Sequence, residues 1–256
     1  MSATLALVAA GALLVGLSLG LMGAGGSVLA VPILIYGAGQ PMSVAVPTSL
    51  LVVAASSCAA LAPRLRQGDI RWNVALVFAA GGAPAALLGA KAARALPEAV
   101  LLPAFAVIMV IVAVRMLRGG EPTGGACRTR SGRVNRRRCL PRTLAAGTGI
   151  GLLTGVFGVG GGFAVVPALT LLLGLTTTEA AATSLVIITV NSTAGLAGHS
   201  TAHLDYGVVL TFTAVAIAAS LAAARWATRL PADRVRKIFA WTILALAPVM
   251  AASALT

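Results

Sequence analysis

The chain is predicted to be an all-α, polytopic helical membrane protein made of two inverted repeats, each with a glycine-hinged broken or re-entrant helix pair. Three observations predict this: an apolar composition, a glycine string written twice at one spacing, and a basic-loop bias that reverses between the two copies. Of 256 residues, 59% are apolar and 10% charged, too little polar surface to coat a soluble fold of that size. Several apolar stretches reach about 20 residues, enough at ~1.5 Å rise each to cross the ~30 Å hydrocarbon core as helices. Long apolar runs in place of period-2 alternation exclude a β-barrel.

The first string, Gly16-Leu17-x-x-Gly20-x-x-Gly23-x-Gly25-Gly26, closes on Val31-Pro32. The second, Gly151-Leu152-x-x-Gly155-x-x-Gly158-x-Gly160-Gly161-Gly162, closes on Val166-Pro167, at an offset of 135 residues. In the same register Ala45, Thr48, Ser49, Leu50 and Ser57 find Ala180, Thr183, Ser184, Leu185 and Ser192. After one deletion the offset becomes 134, and Val74, Leu76, Phe78, Leu96 and Pro97 find Val208, Leu210, Phe212, Leu230 and Pro231. Apolar segments aligned by chance match leucines and alanines, but not Gly, Pro, Thr and Ser together, so the chain is an internal duplication.

Taken in order, the first copy reads as a helix at 5–22, the glycine break, a short apolar piece at 28–38, and helices near 43–62, 72–92 and 98–117. The second reads as 143–158, 163–174, 179–198, 205–227 and 234–255. This divides the chain into a membrane repeat at 1–117, an arginine-rich connector at 118–142 and a second repeat at 143–256. No basic residue precedes Arg64, so the positive leader of a secretory signal is missing and the first segment is expected to be retained.

The formal net charge of +13 sits in loops. Arg118, Arg128, Arg130, Arg133, Arg136, Arg137, Arg138 and Arg142 fall in the connector, among Gly119-Gly120 and Gly124-Gly125. A flexible basic loop obeys the positive-inside rule and attracts anionic lipid, whereas nucleic-acid binding needs a basic folded face or interleaved aromatics. Arg64, Arg66 and Arg71 follow the third piece of the first copy, while the counterpart from His199 to Asp205 holds no Lys or Arg. After the fourth piece the bias reverses, with Arg225, Arg229, Arg234, Arg236 and Lys237 against Lys91 and Arg94. Placing basic loops in the cytoplasm inverts the repeats and leaves Lys91 and Arg94 outside. Each half then crosses an odd number of times, as five full segments or as three helices plus a re-entrant pair.

Glycine allows left-handed dihedrals and close backbone approach, so Gly23, Gly25 and Gly26, and Gly158, Gly160, Gly161 and Gly162, can stop one helix and start another. A helix start offers free N–H groups and a positive dipole end to an anion, with Ser27 beside the first break. Pro32 and Pro167, about one turn on, keep the next piece short or kinked. Close packing of the small-xxx-small kind is the competing explanation, and Gly16 with Gly20 and Gly151 with Gly155 satisfy it alone. The hydroxyls of Thr48, Ser49, Thr183 and Ser184 either donate to an oxyanion or bond back to the preceding turn. Asn191 places an amide in an apolar helix, where it must find a partner.

His199 and His203, with Asp205 behind them, are either a proton relay or gate at one mouth of a pathway, or solvated loop residues. Cys58, Cys127 and Cys139 form neither a zinc spacing nor a disulfide framework, and no metal set, cofactor motif or nucleophile with a base can be assembled. The six acidic residues map to helix ends or loops, which argues against a pump built on buried carboxylates.

The duplicated glycine motif ending in Val-Pro, the Thr-Ser-Leu that follows each copy and the basic connector resemble the TauE/SafE sulfite exporter family over essentially the whole chain. The resemblance implies a plasma-membrane permease for small anions, often sulfite or organosulfonates. Ser27, standing where the second copy has Gly162, departs from exact symmetry. The resulting reading is a secondary transporter that moves a small oxyanion, with export as the favoured direction, protons as a candidate coupling ion and lipid as its surroundings; the sequence does not fix direction, coupling ion, oligomeric state or anion. The rival from another class is a non-transporting membrane scaffold whose glycine faces dock a partner.

Overall fold

A computed structural model describes residues 2–22, 27–118, 136–199 and 205–226, together with positions 237, 241, 244 and 245, and every regular element among them is helical. The order is α1 (Ser2–Met22), α2 (Ser27–Pro32) running into a π-helical turn (Ile33–Gly37), α3 (Met42–Leu65), α4 (Trp72–Ala95) and α5 (Glu98–Arg118). It continues with α6 (Arg136–Phe157), α7 (Gly162–Leu173), α8 (Thr177–Gly198) and α9 (Tyr206–Trp226). The expected pieces up to the one at 205–227 are present in sequence, with one boundary moved. Helix α6 begins at Arg136 rather than near residue 143, so the last seven residues of the expected connector are helical. Arginine is a good helix former, and extending a helix already nucleated by its apolar part is easy. Residues 23–26, 119–135 and 200–204 and the bulk of the segment expected at 234–255 lie outside the described residues.

Helices α3, α4, α8 and α9 are long and apolar enough to cross a membrane. Helix α7 is not: its 12 residues extend ~18 Å, well short of a ~30 Å core. It folds back on α6 instead. A Cβ on Gly161 would strike the Thr154 hydroxyl and lie 2.7 Å from Ile150, both on α6. Val165, Leu169 and Leu173 of α7 then pack in one cluster with Ala75 and Phe78 near the start of α4 and Ala180 near the start of α8. In the second copy α6 and α7 therefore form a hairpin hinged at the glycine turn.

The halves are packed across one another through glycines. Along α6 and α4, a Cβ on Gly147, Gly151 or Gly155 would strike the carbonyl of Phe78, Gly82 or Ala86 respectively, so the two helices run parallel with their backbones in contact. Along α1 and α9, a Cβ on Gly16 or Gly20 would strike the carbonyl of Ala216 or Ser220. The second set is the first with repeat positions exchanged, Gly16 for Gly151, Gly20 for Gly155, Ala216 for Gly82 and Ser220 for Ala86. The small-xxx-small reading thus holds for these four glycines, where dispersion and close backbone approach replace the hydrophobic drive that lipid removes.

One end of the bundle is pinned by polar contacts. The Arg71 backbone N–H donates to Thr183 Oγ1 at 3.1 Å, and its guanidinium forms a 2.5 Å ion pair with Glu179. Thr176 and Glu179 make a capping box at the start of α8, with Glu179 N–H on the Thr176 hydroxyl and Thr176 N–H on the carboxylate. The end of α3 and the start of α4 therefore meet the start of α8, so α3 and α8 cross the centre of the bundle antiparallel.

Replacing Gly151 with Val should destabilise the protein by about 1–3 kcal/mol, because the contacting carbonyl is backbone and can move only with its helix. Gly149→Ala, where nothing lies within 4 Å of the new Cβ, should be neutral or slightly stabilising. Thermal unfolding of both variants in one detergent measures the contrast.

Candidate functional site

The chain between α6 and α7 is built almost wholly from left-handed glycine. Gly158, Gly160 and Gly161 have φ of +68°, +65° and +66°, a region costing other L-residues about 1–2 kcal/mol each. The segment from Gly158 to Gly162 is fully buried. Gly158 N–H closes α6 on Thr154 O at 2.9 Å, and Gly161 O receives the first bonds of α7 from Ala164 and Val165, each at 3.1 Å. The N–H groups of Gly160, Gly161 and Gly162 have no backbone acceptor among the described residues. A buried helix start with open donors is the geometry that suits an anion.

Around this turn the fold gathers hydroxyls from two other helices. Ser49 of α3, fully buried, lies 2.7 Å from both Val46 O and Gly158 O, so its single proton is shared between its own helix and the break. From α8, the Ser192 hydroxyl stands 3.2 Å from where a Cβ on Gly160 would be, with Val53 of α3 at 2.6 Å on the other side. Ser192 is 0% exposed and its hydroxyl has no partner among the described residues. Ser57 holds the corresponding repeat position on α3 and is likewise buried and without a partner among the described residues, as are Thr48, Ser56 and both amide atoms of Asn191.

The expected site residues therefore separate. Gly158, Gly160, Gly161, Gly162 and Ser49 come together at the turn. Asn191 lies a different way, against α4, where the missing side chain of Gly82 makes room for its amide: a Cβ there would be 2.5 Å from Oδ1. Thr183 is committed to the Arg71 N–H at the pinned end of the bundle, and Ser184 bonds back to Ala181 O at 2.9 Å. Pro167 sits inside a continuous α7, while Pro32 ends α2 where the helix loosens into the π-helical turn. Lacking an N–H, proline removes one rung of the ladder, and the first copy widens there. Ser27 opens α2 and is buried. Gly23, Gly25 and Gly26 lie outside the described residues, as does His203.

Sequence reasoning passed over Arg64 at the end of α3 as a site residue, and left His199 at the end of α8 between a proton relay or gate and a solvated loop residue. The buried Arg64 guanidinium donates to Gly20 O at 3.4 Å, and His199 Nε2 is bonded to Gly155 O at 2.8 Å. These contacts are repeat equivalents, since Arg64 maps to His199 and Gly20 to Gly155 at the offset of 135. The alignment already contained that pairing, but a histidine opposite an arginine does not read as a match. His199 is therefore no freely solvated loop residue, because its ring ties the end of α8 to α6. Beside it, Arg94 donates to Gly198 O at 2.5 Å.

Comparison with known proteins agrees with this architecture. The family model described as Sulfite exporter TauE/SafE matches residues 8–250. The chain belongs to this family. It is 35% identical over 176 residues to a probable membrane transporter protein of Xylella fastidiosa strain 9a5c, covering 68% of this chain and 66% of that protein. It is also 32% identical over 152 residues to the probable membrane transporter protein y4hK of Sinorhizobium fredii, covering 59% of each. No solved structure matches the chain.

Within this TauE/SafE protein, the unpartnered amide of Asn191 separates binding from packing. A buried polar group left unsatisfied costs about 1–3 kcal/mol, so Asn191→Leu should leave thermal stability unchanged or higher. If the amide serves a substrate or an ordered water on its path, the same variant should lose transport. A large drop in melting temperature would mean instead that the amide holds the fold together.

Proposed function

We propose that the protein is a secondary transporter that exports a small oxyanion, of the sulfite or sulfonate class, across the plasma membrane. The observation that carries this reading is the buried left-handed turn from Gly158 to Gly162, with open N–H donors and the unpartnered Ser192 hydroxyl beside it. A packing device needs neither open donors nor orphaned hydroxyls, whereas a site that desolvates an oxyanion needs both.

In the proposed mechanism the two membrane repeats, 1–117 and 143–256, are inverted with respect to each other. The exchanged glycine contacts and the antiparallel crossing of α3 and α8 support this. The first break would pair with the second near the membrane midplane: Gly23 to Gly26 lie outside the described residues, and the touching of α7 by α2, which Ser27 opens, supports the pairing. Rocking one repeat against the other exposes the anion alternately to the two sides. The arginine-rich connector faces the cytoplasm, and an anion leaving toward a positive exterior gains ~2.3 kcal/mol per charge per 100 mV. Proton coupling would add to that drive.

Two measurements test the reading. Purified protein in liposomes should carry sulfite or a sulfonate at a rate that Gly160→Leu abolishes, since the new side chain would meet Val53 and Ser192 in a left-handed backbone. Flux unaffected by the variant would sink the turn as the substrate site, and flux indifferent to a pH gradient would remove the proton-coupled version. For topology, a variant whose sole cysteine is Cys127 should react with an impermeant maleimide in inside-out vesicles but not in intact cells.

A further inference from the structure

At the end of the bundle opposite the Arg71–Glu179 pair, a cavity of about 250 Å³ opens between the start of α3, the end of α4, the start of α5 and the ends of α6 and α8. Its lining is apolar (Met42, Val46, Ala93, Leu96, Leu101 and Val156) except for Ser43, Arg94 and His199. A water needs roughly 10–15 Å³ of such space, so a hydrated polyatomic anion has room. Arg94 is also one of the two basic residues that the loop-charge pattern leaves on the wrong side of the membrane. Exposed at the mouth of an apolar cavity and kept against the positive-inside bias, this cation calls for a reason other than topology.

The ring of His199 supplies one. A carbonyl oxygen can only accept, so the 2.8 Å contact with Gly155 O requires Nε2 to carry a hydrogen. In the neutral ring Nδ1 is then an acceptor, which repels an anion, and in the imidazolium it becomes a second donor. Protonation thus changes Nδ1 from excluding an anion to binding one while the tie to α6 is kept. Arg94 spends one N–H on Gly198 O and retains the rest of its five donors.

We propose that this cavity is an anion-entry site in which a small oxyanion binds between Arg94 and the His199 imidazolium, so that each anion bound there takes up one proton. Burial above all holds His199 below the usual histidine range, the Gly155 carbonyl pulls upward, and the Arg94 charge adds to the lowering. Among the described residues lining the cavity, α3 contributes the hydroxyl of Ser43, α5 and α6 contribute no ionisable group, and Arg94 of α4 is the only other charge. The empty site therefore holds a neutral ring near neutral pH. An arriving anion offsets the Arg94 charge and favours the imidazolium, and by linkage binding tightens as pH falls between the two protonation midpoints. At the matching position of the first repeat Arg64 cannot titrate, so the proton-linked step belongs to one end of the molecule only.

The inference rests on the anion-carrier reading, and the test separates the two. Full-length protein in lipid nanodiscs is titrated with thiosulfate and with methanesulfonate, both fully ionised throughout, at about pH 5.5 and about pH 8, bracketing the histidine range. Calorimetry in buffers of different ionisation enthalpy counts the protons taken up. The wild type should bind about ten-fold more tightly at the lower pH with close to one proton per anion, the size expected for one linked group. His199→Gln, which keeps a donor for Gly155 O but cannot titrate, should bind weakly and alike at both pH values. Arg94→Gln should weaken binding at both, and Arg94→Lys should retain the pH dependence. Binding that is independent of pH, or an His199→Gln variant as pH-dependent as the wild type, overturns the entry site while leaving the carrier reading intact. No binding of either anion at either pH overturns both.

Discussion

Close contact between helix backbones, made possible by glycine, is the constraint on which the other features depend. In lipid an apolar side chain gains little by moving from a lipid neighbour to a protein one, so helices hold together through the contacts that bare backbone allows. Gly151 and Gly155 bring α6 against the carbonyls of α4, and Gly16 and Gly20 bring α1 against those of α9. Because each contact joins one half of the chain to the other, neither half completes its packing alone. The same closeness encloses the α6–α7 turn so fully that its glycines and the hydroxyls beside it are shut away from water and lipid alike.

That enclosure gives the polar groups their meaning. A serine hydroxyl inside an apolar helix ordinarily returns its proton to the preceding turn, as Ser184 does. Ser49 does so only in part, sharing with Gly158 O across the bundle, and Ser192 has no partner among the described residues although it is wholly buried. Orphaned groups in a dry interior cost stability, and Ser192 stands where a helix start also leaves donors open. The cost becomes intelligible when a ligand is what pairs them. The two ends of the bundle follow a related logic, since Arg64 and His199 each close an equivalent glycine carbonyl, one with a fixed charge and the other with a titratable ring.

Much of the architecture was legible in the sequence, for a physical reason: lipid makes the code simple. Backbone groups must be satisfied within each segment, so apolar length announces a helix and a glycine cluster announces where the helix stops. That is why the order of segments, the duplication and the place of the break could be read directly. Residues 136–142 were misread as connector because arginine signals a loop by charge and a helix by propensity, and position alone decides between them. Asn191 and Thr183 were read as one group with the glycines, yet a helix turns by 100° per residue, and small differences in rotation sent Asn191 toward α4 and Thr183 toward the Arg71 loop.

The sequence by itself determined that the chain is a helical membrane protein of two related halves, each interrupted at one glycine string, because hydropathy and glycine are local properties of the covalent chain. Tertiary structure alone decided that α7 turns back on α6, that Ser192 rather than Asn191 stands beside Gly160, and that Arg94 and His199 share a cavity. These depend on which faces meet across distances that no local pattern encodes. The glycine string marked where the backbone would open, and only the packing around it chose the groups that surround the opening.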